Sequence, residues 1–254
     1  MARDHEGPST PHRLSIENDN RPSSSPYIER VYRSEGIIAP TRMHSIASPH
    51  WELAFAEVRG HVHVAVRGPE TKPTSVRVDP DGSWFGIVFA HGTAMPHLPV
   101  DRLVDSAVPA PYATSTTFVL RGEEWERPTY DNAEDLVTRL VRTGVLVIDP
   151  LVADVLAGDD APRLGARSVQ RRVVAATGLT QGAIRQISRA RQAAVLLGEG
   201  VAPLNVAHRL GYFDQPHLAR SLTRFIGRTA TSLRQPTPAE PLSLLYKTAH
   251  RPTP

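Results

Sequence analysis

The hydrophobic period of this chain changes once along its length, and that change limits the fold more than any other feature. Between about residues 30 and 125 the signals favour strands, and in the clearest of them apolar side chains recur at every second position. "WELAFAEV" sets Trp51, Leu53 and Phe55 on one face, and "HVHVAV" sets Val62, Val64 and Val66 opposite His61 and His63. This is the alternation of half-buried strands. "SVRV" and "WFGIVFA" follow, divided by turn signals such as "DPDG". From Asp131 onward the period is that of helices. "DNAE" offers an Asp cap with Glu134 three residues on, and Leu136, Val137, Leu140 and Val141 make one stripe that ends at Gly144. Asp149–Pro150 is a second helix start. The remainder to about 234 reads as helix, broken near 158–165, 178–180, 198–203 and 211–214.

Strands followed by helices imply an α+β chain. Short strands at this spacing imply a small antiparallel barrel or sandwich. The expected organisation is a flexible tail over 1–26, rich in Pro, Ser, Asn and charge, and a β-rich sensor or dimerisation domain over 27–128. A connecting helix lies within 129–148, an all-α domain covers 149–235, and a Pro-rich tail with one apolar patch, Leu242 to Tyr246, covers 236–254.

Charge divides the chain at nearly the same place. Residues 163–234 hold twelve arginines and no lysine against Glu199 and Asp214 as the only acids, a net +10, whereas residues 1–162 carry −8. Such asymmetry points to a neutral-to-acidic module joined to one that binds a polyanion. The chain has no cysteine, which excludes disulfides and thiolate metal sites. "MARDHEGPST" lacks the apolar core of a signal peptide, and no apolar run approaches the roughly 18 residues that span a bilayer. The expectation is a soluble, cytoplasmic protein with no membrane partner.

The stretch "VAHRLGYFDQPHLARSLTRFIG" carries the chemistry. Pro203 to Leu210 can form a short helix with Val206, Ala207 and Leu210 inward, and Gly211 can supply the positive φ that ends it. Asp214 then caps a second helix, with Pro216 tolerated in its first turn. Leu218, Leu222 and Phe225 (or Ile226) face the core, which leaves Gln215, His217, Arg220 and Arg224 outside. A tight two-helix unit with a basic second helix is a helix-turn-helix, whose second helix enters the major groove.

"AHRLGYFDQPHLARSLTRFIGRTATSLR" resembles the signature of AraC/XylS-type transcriptional regulators. Upstream, "RSVQRRVVAATGLTQGAIRQISRARQAAVLL" resembles the first half of the same domain, so the likeness covers about residues 150–234. It implies two helix-turn-helix units joined by a linking helix, about Gln181 to Leu197, with Thr180 as its cap. Base-reading residues carried over by the resemblance are Arg167, Gln170 and Arg171 in the first recognition helix, and Gln215, Pro216 and Arg220 in the second. Arg can bond guanine O6 and N7 together and Gln adenine N6 and N7, while Arg172, Arg224 and Arg234 suit phosphates.

Two residue choices depart from the family pattern. Pro216 cannot hydrogen-bond a base, which leaves part of that contact to His217. The helix expected to support the first unit would occupy about 156–163, where "LAGDDAPR" is a poor helix former. That unit is either shortened or built with the 149–157 helix.

The strand-rich front resembles, more weakly, the cupin-like barrel sensor domains attached to such helices. The resemblance implies control by a small-molecule effector or by pairing with a second copy of the chain, and RNA polymerase as a further partner beside double-stranded DNA. No residue is assigned to an effector; Trp51, Phe55, Trp84 and Phe89 line either a pocket or the core. No cofactor is expected and no metal is assigned. The rival reading is a barrel metalloenzyme with a helical appendage, using His61, His63 and Glu70 with His91 or His97. A third is a DNA-binding protein whose barrel only dimerises.

Overall fold

The computed structural model describes residues 17–35, 41–78, 82–158 and 165–235. The first half is made of antiparallel strands. These are β1 (Glu17–Pro22), β2 (Ile28–Glu35), β3 (Thr41–Ser45), β4 (Glu52–Val58), β5 (His61–Arg67), β6 (Thr74–Val78), β7 (Ser83–Phe89), β8 (Thr93–Ala94), β9 (Ala107–Pro109), β10 (Thr117–Leu120) and β11 (Glu123–Glu126). Helix α1 (Ala133–Arg142) and the short β12 (Val147–Ile148) follow. Then come α2 (Pro150–Ala157), α3 (Ala166–Thr177), α4 (Gln181–Gly198), α5 (Pro203–Arg209), α6 (Gln215–Phe225) and α7 (Ala230–Arg234). The architecture is α+β, as the change of period implies.

Six strands hydrogen-bond in the order β1-β2-β7-β4-β5-β9, while β3 and β6 form a separate ribbon. The six-stranded sheet is open, with β1 and β9 at its edges, so among the described residues the strands close into no barrel. The alternation along β4 and β5 works as written. Trp51, Leu53, Phe55, Val64 and Val66 are buried, and His61 and His63 are exposed. Trp51 stacks on Phe89 with centroids 4.0 Å apart and donates its indole N–H to the Thr93 carbonyl at 2.8 Å. Phe55 meets Phe85 and, edge-on, Phe118. Trp51, Phe55 and Phe89 are therefore packed core; Trp84 is half-buried.

Three boundaries differ from expectation. The tail expected over 1–26 is strand from Glu17, because β1 pairs with β2 along its whole length. Arg21 then grips α1, donating to both oxygens of Glu134 at 2.6 and 2.8 Å. The α1 helix is a wall of the sheet domain rather than a connector. Its Leu136, Val137 and Leu140 share one apolar cluster with Phe55, Ile87 and Phe89. Its N-cap is Asn132, not Asp131, and Glu134 is engaged by Arg21 and Ser23 rather than closing a capping box. The 1–16 tail and the Leu242 to Tyr246 patch lie outside the described residues.

A second apolar cluster joins α2 to α7 through Leu151, Val173, Ile187, Val206, Leu222 and Leu233. Ile46 and Ala47, from the loop after β3, are part of it. The Ala47 N–H donates to the Phe225 carbonyl at 2.9 Å, and Arg191 of α4 donates to the Ala47 carbonyl at 2.8 Å. The sheet domain thus holds the end of α6 through a two-residue insertion into the helical core.

Candidate nucleic-acid interface

The α5–turn–α6 pair is built from signals that lie close together in the chain. Pro203 occupies the first turn of α5, where its missing N–H has no partner to lose. Val206 and Ala207 are buried, and small Ala207 lets α6 approach. Gly211 takes φ +66°, which a side chain with a Cβ rarely adopts. Asp214 then accepts the His217 N–H at 2.6 Å as N-cap of α6. Leu218, Leu222, Phe225 and Ile226 are all buried, so both of the residues weighed for the last core position are used.

The turn is also held from α4. Tyr212 is buried, bonds through its hydroxyl to Ser221 at 3.1 Å, and sends its N–H to the Ala207 carbonyl at 2.9 Å. Arg189 of α4 lies over the Tyr212 ring, 4.3 Å from its centroid, and donates to the Gly211 carbonyl at 3.3 Å. Arg189 escaped the sequence reading. Its one signal is its place four residues before buried Ala193, at the border of the linking helix's buried face.

With that face fixed, α6 presents Gln215, Pro216, Arg220 and Arg224 to solvent. Arg224 lies over the Phe225 ring with 4.9 Å to its centroid. His217 is half-buried and turned back. Its Nδ1 accepts the Phe213 N–H at 3.4 Å, and its ring meets Tyr212 edge-on. Arg234 ends α7, exposed.

The first unit is organised differently. Arg167, Gln170 and Arg171 are exposed on α3, at spacings of three and four that put them on one face. Val173, Ala176 and Thr177 are buried on the other side. Arg172 is engaged elsewhere: it makes two bonds, 2.9 and 2.8 Å, to the Asp149 carboxylate that caps α2. Helix α2 ends at Gly158 in the left-handed region, and most of the expected 156–163 helix, from residue 159 on, lies outside the described residues.

The histidines of the rival reading are dispersed. His61 and His63 stand exposed on β5. Glu70 accepts from Arg67 at 2.7 Å and from Ser45 at 2.6 Å, and burial raises its carboxyl above the ordinary range. His91 stacks on His50 with centroids 4.0 Å apart, and burial lowers it to about 4. His97 is exposed, lowered by desolvation and by Arg121. Among the described residues no three His, Asp or Glu side chains gather as a metal site needs. No family model, curated protein or solved structure matches the chain.

Proposed function

We propose that this chain is a sequence-specific, double-stranded DNA-binding transcriptional regulator of the AraC/XylS type, acting in the cytoplasm by binding rather than catalysis. The observation that carries the reading is α6. Its cap, turn and apolar face are all engaged inward, and the long polar side chains it leaves outward are Gln215, Arg220 and Arg224, in a region of net +10. In this reading α5 and α6 form a helix-turn-helix, and α2 and α3 form a reduced one joined to it by α4. Gln215 and Arg220 read base edges and Arg224 and Arg234 hold phosphates. His217 supports the turn instead of replacing the contact that Pro216 cannot make. Arg172 serves the α2 cap, so the first unit reads through Arg167, Gln170 and Arg171. The sheet domain is the sensing or pairing half, and the Ile46–Ala47 insertion links it to α6.

The test is enrichment from a random duplex pool with the full chain. Two blocks about one helical turn apart are expected, one per unit. Affinity should fall steeply with salt, as counterion release demands. Uniform, salt-sensitive binding with no enriched sequence refutes the reading.

A further inference from the structure

Phe213 is the most exposed large apolar side chain described, at 91%. Its place makes that unusual. It precedes the Asp214 N-cap, where an apolar residue ordinarily folds inward onto the residue four into the helix, here Leu218. Leu218 is buried, and the turn's aromatic side chain that joins it in the apolar cluster is Tyr212. Phe213 stands outward although its backbone is held, with its N–H on His217 Nδ1 and the next residue fixed as the cap. The residues after it are Asp214, Gln215 and Pro216, so the turn itself carries no run of apolar side chains. Its surroundings suit a polyanion: exposed Gln215 and Arg220 follow on the same helix, and the carboxylate next to it in the chain, Asp214, accepts the His217 N–H.

We infer that Phe213 is a base-contacting residue that packs on a thymine 5-methyl group beside the bases addressed by Gln215 and Arg220. The methyl is the one apolar feature on the base edges of the major groove, and a phenyl ring can recognise it by burial alone. The inference rests on the DNA-reading proposal and adds a specificity element to it.

The experiment uses the full chain and its own enriched duplex, with each thymine replaced in turn by deoxyuridine, which removes only the methyl. Wild-type binding is compared with Phe213→Ala, and thermal melting of the free proteins confirms that the exposed site leaves folding unchanged. One thymine is expected to matter: its loss weakens wild-type binding about fourfold, the worth of one buried methyl. The same replacement leaves Phe213→Ala unaffected, because the two deletions remove one contact. The inference is overturned if every deoxyuridine acts alike on both proteins. It is also overturned if Phe213→Ala weakens all duplexes equally, a sugar-phosphate contact, or if it alters only self-association, a protein interface. Failure of the wild type to enrich any sequence overturns both this inference and the DNA-reading proposal; enrichment without a Phe213-dependent thymine overturns this one alone.

Discussion

Arg189→Met isolates the link between α4 and the turn that aims α6. The replacement keeps a long apolar stem in place but removes the guanidinium from the Tyr212 ring and from the Gly211 carbonyl. A partly covered cation–ring pair contributes about 1 kcal/mol, and a bond from a charged donor about 1.5 kcal/mol. One effect opposes these. Arg189 Nε is buried with no hydrogen-bond partner among the described residues, and removing such a group returns about 1 kcal/mol. The net loss is about 1.5 kcal/mol. With a urea slope of about 2 kcal/mol per molar, the unfolding midpoint followed by far-ultraviolet circular dichroism drops by about 0.7 M. The control is Arg185→Met, at an exposed position on the same helix, which should move the midpoint by less than about 0.3 M. Equal midpoints for the two variants would show that the ring and carbonyl contacts do not hold the turn.

Three further outcomes follow from the contacts. Asp149→Ala removes both the α2 cap and the Arg172 partner and should cost about 1–2 kcal/mol in urea unfolding; Asp149→Asn, which keeps a capping oxygen, should restore most of it, and an Asn variant as weak as Ala would assign the loss to the ion pair. A Cβ at Gly86 would run into the Tyr32 ring, so Gly86→Ala should lower stability by about 1–3 kcal/mol, and an unchanged melting temperature would show that the ring moves aside. Burial holds His91 neutral down to about pH 4, below the ordinary 6.5. Below 6.5 the unfolded chain therefore takes up a proton that the folded chain refuses, and stability falls as pH drops from about 6.5 to about 4. His50, stacked on His91, is also lowered by burial and adds a slope of the same sign, so His91→Phe should lessen the fall in melting temperature across that window without abolishing it, and an unchanged slope would place the acid sensitivity elsewhere.

Much of the helical half was legible because its signals are local. Asp149, Thr180 and Asp214 cap the helices whose starts they announce, and Gly211 turns where the apolar stripe breaks. The strands of β4 and β5 were legible for the same reason, since Trp51, Leu53 and Phe55 alternate. What stayed hidden depends on residues that meet only after folding. "ENDNRP" has no alternation, and it becomes a strand because β2 offers an edge and Arg21 finds Glu134, 113 residues away. Ile46 and Ala47 look like ordinary loop residues, and only the packing of α4 and α6 turns them into helical core, with Arg191 closing on Ala47 across 144 residues. Arg172 suited a phosphate by its position on α3, until Asp149 is seen beside it. Phe213 carried no signal, because a staple aromatic and an outward one are written with the same letter.

The most direct test of the central claim is the affinity of Arg220→Ala for the enriched duplex and for its single-base variants at fixed salt. The account predicts a loss of about 1–3 kcal/mol on the enriched sequence with discrimination relaxed at one base pair and retained at the others. A loss spread evenly over all duplexes, with a salt slope reduced by about 1, would make Arg220 a phosphate contact and contradict the claim that α6 reads sequence.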